Sequence, residues 1–241
     1  MILVVLVLCT IALFLTFVYM RSSALRLVLT AIFTLGLIAS LVLVVENDSQ
    51  HYGMTKVTTT KTTTLKSASS SSSMDMLLYQ SVGTADKHRV YIYKQTSNQK
   101  KVSHTAADIK VANHVKTTTG ATKLVTKSTR WEYKNSTAKF WFGLADNDHK
   151  LIKRTNTFYV KKNWVVLSTT QAKALSKLAK QQASTLKARA KVYVQNKVQA
   201  AMVKNPSMSK TQLAKLEKQA AAEYQASAMK SMIAEAKSST K

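Results

Sequence analysis

Two long apolar runs open the chain. Met1 to Met20 carries no charged residue, and after Arg21-Ser22-Ser23-Ala24-Leu25-Arg26 the stretch Leu27 to Val45 carries none either. At ~1.5 Å rise per residue, each run reaches about the ~30 Å of a bilayer's hydrocarbon core. Lipid gives backbone amides no partner, so such runs must be helical. The connector is too short to leave the interface. The pattern therefore predicts an antiparallel membrane hairpin over 1–45, with spans 1–20 and 27–45. Gly36 and Ser40 form a small-xxx-small step that lets two helices approach closely. The only ionisable groups inside the spans are the Cys9 thiol and the Tyr19 phenol, both neutral at pH 7. That argues against a transporter or proton relay.

After Val45 the pattern turns polar. Residues 46–78 read as a Ser/Thr-rich tether, since Thr58 to Thr64 and Ser69 to Ser73 have almost nothing to bury. An alternative is that Thr55 to Leu65, rich in β-branched residues, adds an edge strand. From 79 to 168 the period becomes two. His88 to Lys94, Ile109 to Lys116, Lys123 to Lys127, Arg130 to Lys134, Lys139 to Leu144, Leu151 to Val160 and Trp164 to Leu167 all suit strands. Turn-like breaks fall at Asn135-Ser136-Thr137, Asp146-Asn147-Asp148-His149 and Lys161-Lys162-Asn163. Tight turns imply that the last four strands form a meander, in a small antiparallel sandwich or open barrel.

The period then changes to three and four. Ser168-Thr169-Thr170-Gln171 and Ser209-Lys210-Thr211-Gln212 are capping-box patterns. Leu175, Leu178, Gln182, Leu186, Ala190 and Tyr193 form one stripe, extended by Val194, Val198 and Met202. Leu213, Leu216, Ala220, Tyr224, Ala228 and Met232 form another. Asn205-Pro206 separates them. Residues 169–241 are thus expected to be a basic, Ala/Lys-rich helical hairpin of two helices of about 30 residues, each on the order of 40–50 Å long. The fold class is a membrane α-hairpin followed by an α+β body.

Charge adds orientation and partners. The 241 residues carry 36 Lys and Arg against 11 Asp and Glu, a net +25. Arg21 and Arg26 in the connector are retained on the cytoplasmic side, whereas Glu46 and Asp48 flank the other end. This predicts a two-span cell-membrane protein with the C-terminal body extracytoplasmic. The first run lacks the basic n-region of a cleaved signal. A surface so basic attracts polyanions. The expected contacts are Lys173, Lys177, Lys180, Lys187, Arg189 and Lys191. Besides the lipid bilayer, their partners would be teichoic acid, anionic lipid headgroups or another membrane protein. No specific nucleic acid and no cofactor is expected.

Candidate chemistry is sparse. The single Cys lies in the membrane, so no disulfide framework exists. The five His lack metal-ligand spacing. Asp146, Asp148 and His149 crowd one turn, which reads as a cation or catalytic site or, more plainly, as a polar hairpin turn. Nucleophile elbows and glycine-rich phosphate loops are absent. The expectation is a non-enzymatic envelope protein; the alternatives are a scaffold subunit of a membrane complex and a wall hydrolase centred on the Asp146 turn. Asn47-Asp48-Ser49 and Asn135-Ser136-Thr137 match the glycosylation pattern, which is common by chance.

The order of parts is itself informative. An apolar hairpin and Ser/Thr tether precede Val90-Tyr91-Ile92-Tyr93, then Asn156-Thr157-Phe158-Tyr159-Val160 and Trp164-Val165-Val166-Leu167-Ser168 running into an Ala/Lys helix. This resembles a family of uncharacterised two-span membrane proteins of lactobacilli, defined by a domain of unknown function. The resemblance implies a bacterial cell-envelope setting and supplies no activity and no catalytic residue.

Overall fold

The computed structural model describes residues 1–69, 74–83 and 88–239. The chain divides into two compact units, Met1–Thr64 with Ala106–Val160 and Leu65–Thr105 with Lys161–Lys241.

In the first unit, the apolar runs form helices α1 (Ile2–Tyr19) and α2 (Ala24–Ser49), which pack on each other. Both are long and apolar enough to cross a membrane. A Cβ on Gly36 would stand 3.1 Å from the Cys9 sulfur, so the helices do meet closely at the small-residue step. Large side chains all around both helices stay exposed, among them Leu8, Phe17, Leu27 and Leu35. Strands β1 (Met54–Thr64), β5 (Val111–Thr118), β6 (Lys123–Tyr133) and β7 (Leu151–Lys161) form a sheet in the order β1-β6-β7-β5. One face carries Leu124 beside Phe158, both buried. On the same face Thr126 donates to Asn156, which donates to Asn113, a hydrogen-bonded polar row across three strands.

The second unit contains β2 (Met76–Val82), β3 (His88–Tyr93), β4 (Ser103–His104) and β8 (Val165–Ser168), in the order β4-β3-β2-β8. Three helices complete it: α4 (Thr169–Gln181), α5 (Ala183–Lys204) and α6 (Lys210–Ser238). Ser168 and Ser209 each form a full capping box, with Gln171 and Gln212 respectively. Leu167, Leu175, Met232 and Ala236 are the buried centre, with Met76 and Leu78 of β2 packed against it. Thus α4 and the end of α6 cover the β2–β8 pair. Further out, Tyr193 meets Tyr224 at 5.4 Å and Lys197 meets Glu223 at 3.5 Å, so α6 runs back along α5.

Five expectations need correction. The tether over 46–78 is ordered along most of its length. Helix α2 runs on to Ser49, and β1 pairs with β6 in an unbroken register from Met54↔Tyr133 to Thr64↔Lys123. Thr is β-branched and suits an exposed edge strand even with nothing apolar to bury; Lys56 and Lys61 keep that edge charged. The Ser-rich stretch at 70–73 lies outside the described residues. The antiparallel β domain over 79–168 is in fact two sheets in two units, and one pair, β2 with β8, is parallel. The meander fails for the same reason: β7 and β8 are consecutive in sequence but belong to different sheets.

The strand expected at Lys139 to Leu144 is instead a helix, α3 (Ser136–Phe142), succeeded by a 3-10 turn at Gly143–Ala145. The Asn135 side chain accepts from the Ala138 amide at 2.8 Å. A turn residue has become an N-cap, and satisfying that amide turns residues 136–142 into a helix. The first basic helix of about 30 residues breaks at Gln182 into α4 and α5, although the hydrogen-bond ladder continues through the break.

Candidate functional site

The most tightly built region of the first unit is the joint between α2 and its sheet, residues 50–53. Tyr52 donates its amide to the Glu46 carbonyl, and Gln50 donates to the same oxygen. The residue between, His51, has φ 58°, a left-handed conformation that usually calls for Gly or Asn after a helix. Its ring lies 4.1 Å from Trp131 in a stacked arrangement, which offsets the backbone cost. Gly53 comes next at φ 79°, and its carbonyl accepts from Lys134. A Cβ there would meet the Phe142 ring at 3.3 Å as well as straining the backbone.

Two buried asparagines fasten this joint. Asn47 donates to the Tyr52 carbonyl at 2.8 Å, and Asn147 donates to Asn47 at 3.0 Å. Both are almost wholly buried. Each therefore needs the other's polar atoms, since an unpaired buried amide is costly. The glycosylation-like motifs are accounted for structurally: Asn47 is inside and Asn135 caps α3. Sequence reading missed the joint. Its available signal was Gly53, one of only five Gly in the chain, directly after the helix end.

The Asp146 turn is the other half of the same construction. Asp146 and His149 both have positive φ, 52° and 59°. His149 lies 3.5 Å from Glu132 and 3.6 Å from Asp148, and Lys139 lies 3.9 Å from Asp148. The backbones of His149 and Lys150 bond to Trp131. No group of three His, Cys, Asp or Glu among the described residues is arranged to hold a metal. Beside the turn, the Tyr133 hydroxyl donates to the Phe142 carbonyl at 2.9 Å. Burial holds the Tyr133 pKa above the usual phenol value, and the Asp148 and Asp146 charges push the same way, against a hydrogen bond from the Asn147 backbone. The arrangement is one that fixes a loop; the charges around it pair with each other.

At the opposite end of the hairpin, the connector is shorter than expected: α2 begins at Ala24, so Arg26 lies in its first turn and, of the two, only Arg21 lies between the helices. Arg21 is exposed in the connector. Arg26 lies over the Phe17 ring at 4.7 Å and donates to the Met20 carbonyl, so it pins the turn as well as charging it.

In the second unit, Lys173, Lys177 and Lys180 lie on α4 and Lys187, Arg189 and Lys191 on α5, and all six are exposed. They form no single pocket but two successive solvent-facing stretches. Among the described residues of α4 to α6, the one cation with a carboxylate within 4 Å is Lys197, at Glu223. The Tyr193 hydroxyl, then Glu223, raise its pKa above the usual lysine value. Arg189 is different from the other five: it edges a shallow groove with Tyr193, Asn196 and Tyr224.

A family model described as a domain of unknown function, DUF4811, matches residues 22–175. The match takes in α2, both sheets and the start of α4. Neither the comparison with curated proteins nor that with solved structures gives a match.

Proposed function

We propose, for a chain that belongs to the DUF4811 family and takes no activity from that membership, a non-enzymatic role at the cell envelope. The α1–α2 hairpin anchors the protein in the membrane as two spans. Its connector, with Arg21 and Arg26, faces the cytosol, and the body stands outside. The basic helices then contact anionic polymer, teichoic-acid phosphate in a bacterial wall, with anionic headgroups as the competing partner.

The observation that carries this reading is the row of exposed, acid-free cations on α4 and α5. Solvation alone explains a lysine-rich face. It does not call for thirteen basic and only three acidic residues over 169–239. Charges of one sign so arranged give attraction to polyanions that salt screens within about 10 Å at 0.1 M.

The test uses the full chain in neutral-lipid nanodiscs and walls carrying or stripped of teichoic acid. Retention at low salt, lost at high salt and lost when the six candidate cations are changed to Gln, is the expected result. Equal retention on stripped walls overturns it. Orientation is read separately in a Cys9→Ala background: an impermeant maleimide should label Lys101→Cys but not Ser22→Cys in intact cells.

A second reading, a docking subunit of a membrane complex, is favoured by Val192 and Val203, which are 55% and 79% exposed on α5. Stoichiometric co-purification with one partner, abolished by Val203→Lys, would select it.

A further inference from the structure

We propose that the recess between the hairpin and α3 binds one acyl chain of a membrane phospholipid, with Lys134 against the lipid phosphate. The inference rests on the hairpin being in the membrane, and goes beyond it by assigning a built lipid site rather than a bare anchor.

The recess lies wholly within the first unit and has a volume of about 750 Å³. That is inside the ~300–1,000 Å³ range of small-molecule sites. Its floor is Ile2 and Val5 of α1 with Ala39 and Leu43 of α2. From Gly36 to Leu43 it tracks α2 for about 10 Å at ~1.5 Å per residue. Every one of these positions belongs to a candidate span, with Ile2 and Leu43 toward the end where the aromatic residues of α3 lie. Gly36, Ala39 and Ser40 keep it open: three small residues on a helix otherwise rich in Leu, Ile and Val, of which Ala39 is the exposed one outside the small-xxx-small step. Ser40 beside it spends its hydroxyl on the Gly36 carbonyl at 2.8 Å, so it presents no free polar group to the floor.

The other end is polar and rigid. The Lys134 backbone amide is held by the Gly53 carbonyl at 2.9 Å. Its ammonium is exposed and has no carboxylate within 4 Å among the described residues, unlike Lys139, which faces Asp148. The wall above is α3, fixed by its Asn135 cap and by the Met1 backbone nitrogen, which lies 2.7 and 2.6 Å from the Phe140 and Trp141 carbonyls. Phe140 and Trp141 are 57% and 40% exposed. Half-exposed aromatic rings at the end of two spans are the pattern of a membrane–water interface. An apolar trough within the membrane, aromatic residues at its lip and one unpaired cation beyond them match a phospholipid in the order chain, glycerol, phosphate.

Any lipid-facing recess fills with bulk lipid, so the experiment must separate a site from mere contact. The full chain is placed in phosphatidylcholine nanodiscs containing traces of either a phosphatidylglycerol or a diacylglycerol, each with the same mid-chain diazirine. Crosslinks are mapped by mass spectrometry. Labelling at Ala39–Leu43 and Thr137–Trp141 should exceed that at lipid-facing Leu27 and Leu35. With phosphatidylglycerol it should exceed the diacylglycerol signal about fivefold, the ratio that ~1 kcal/mol per cation at a lipid surface gives. Ala39→Phe should remove the recess signal with both probes while Leu35 stays labelled. Lys134→Gln, a surface change that spares the fold, should bring the two probes level. Recess labelling no stronger than at Leu27 and Leu35, or unaltered by Ala39→Phe, overturns the site and leaves the anchor standing. If Leu27 and Leu35 are also unlabelled, the membrane anchor itself falls, and the site with it.

Discussion

The molecule contains two helical hairpins that share a geometry and differ in the surface they expose. In both, the helices run back on each other, but the seams differ: Gly36 lies close to Cys9 in α1–α2, whereas Tyr193 meets Tyr224 and Lys197 meets Glu223 in α5–α6. Outside the seam they are opposites. The first exposes Leu, Val and Phe on every side, the second mainly Lys, Gln and Ser, with Val192, Met202 and Val203 as its large apolar exceptions. As the proposed membrane anchor, α1–α2 would have no hydrophobic force pressing its helices together and would depend on close packing at the seam. In water the force exists, but α5 has no fully buried residue, so the α5–α6 contact gives it little area. That hairpin needs the β2–β8 pair beneath α4 and α6, where Leu167, Leu175, Met232 and Ala236 are buried. The lesson is that the fold of a hairpin does not reveal its surroundings; the residues it leaves uncovered do.

That contrast can be broken in order of effect. Met232→Ala should cost ~2–5 kcal/mol by cavity formation, read as a lowered unfolding midpoint of the second unit. An unchanged midpoint would show that α5–α6 stands without its base. Leu35→Lys should cost ~2.5–3.5 kcal/mol of insertion energy and shift protein into the carbonate-extractable fraction. The same change at Val203 on α5 should stay within ~0.5 kcal/mol. Equal outcomes at the two sites would erase the distinction of solvents. Gly36→Leu should cost ~1–3 kcal/mol through the clash with Cys9, seen as earlier thermal loss in detergent. Ser209→Ala removes one half of the α6 capping box and should cost ~0.5–2 kcal/mol, observed by circular dichroism.

The smallest effect is a pH dependence in the first unit. The folded pKa of Tyr133 lies above its unfolded value near 10. The folded state therefore holds the proton more tightly, and this contribution is complete below about pH 10 and lost as pH rises through the folded pKa. Tyr133→Phe should flatten the fall of stability above pH 10. A curve parallel to the wild type would remove Tyr133 as its source.

Much of this plan was legible in the residues. The apolar runs, both capping boxes and the α6 stripe from Leu213 to Met232 can be read directly, because they depend on local spacing. The sheets could not be read so far. Pairing is settled by partners distant in sequence: β1 finds β6 about 70 residues on, and β8 joins β2 rather than its neighbour β7. The joint at 50–53 was hidden for a related reason. Its strain at His51 is tolerated only because Trp131, 80 residues later, supplies a ring to stack on. The six candidate cations are exposed, and their separation onto α4 and α5 comes from a break at Gln182 that no residue type announces.

Strand β1 has a mechanical consequence. Eleven residues at about 3.3 Å each are already drawn out to nearly their full reach, and they lead covalently from the hairpin into the second unit. Such a segment cannot act as a slack leash that lengthens under tension. A pull that entered through α2 and left past Thr64 would be carried by the backbone of β1 itself, at almost constant length.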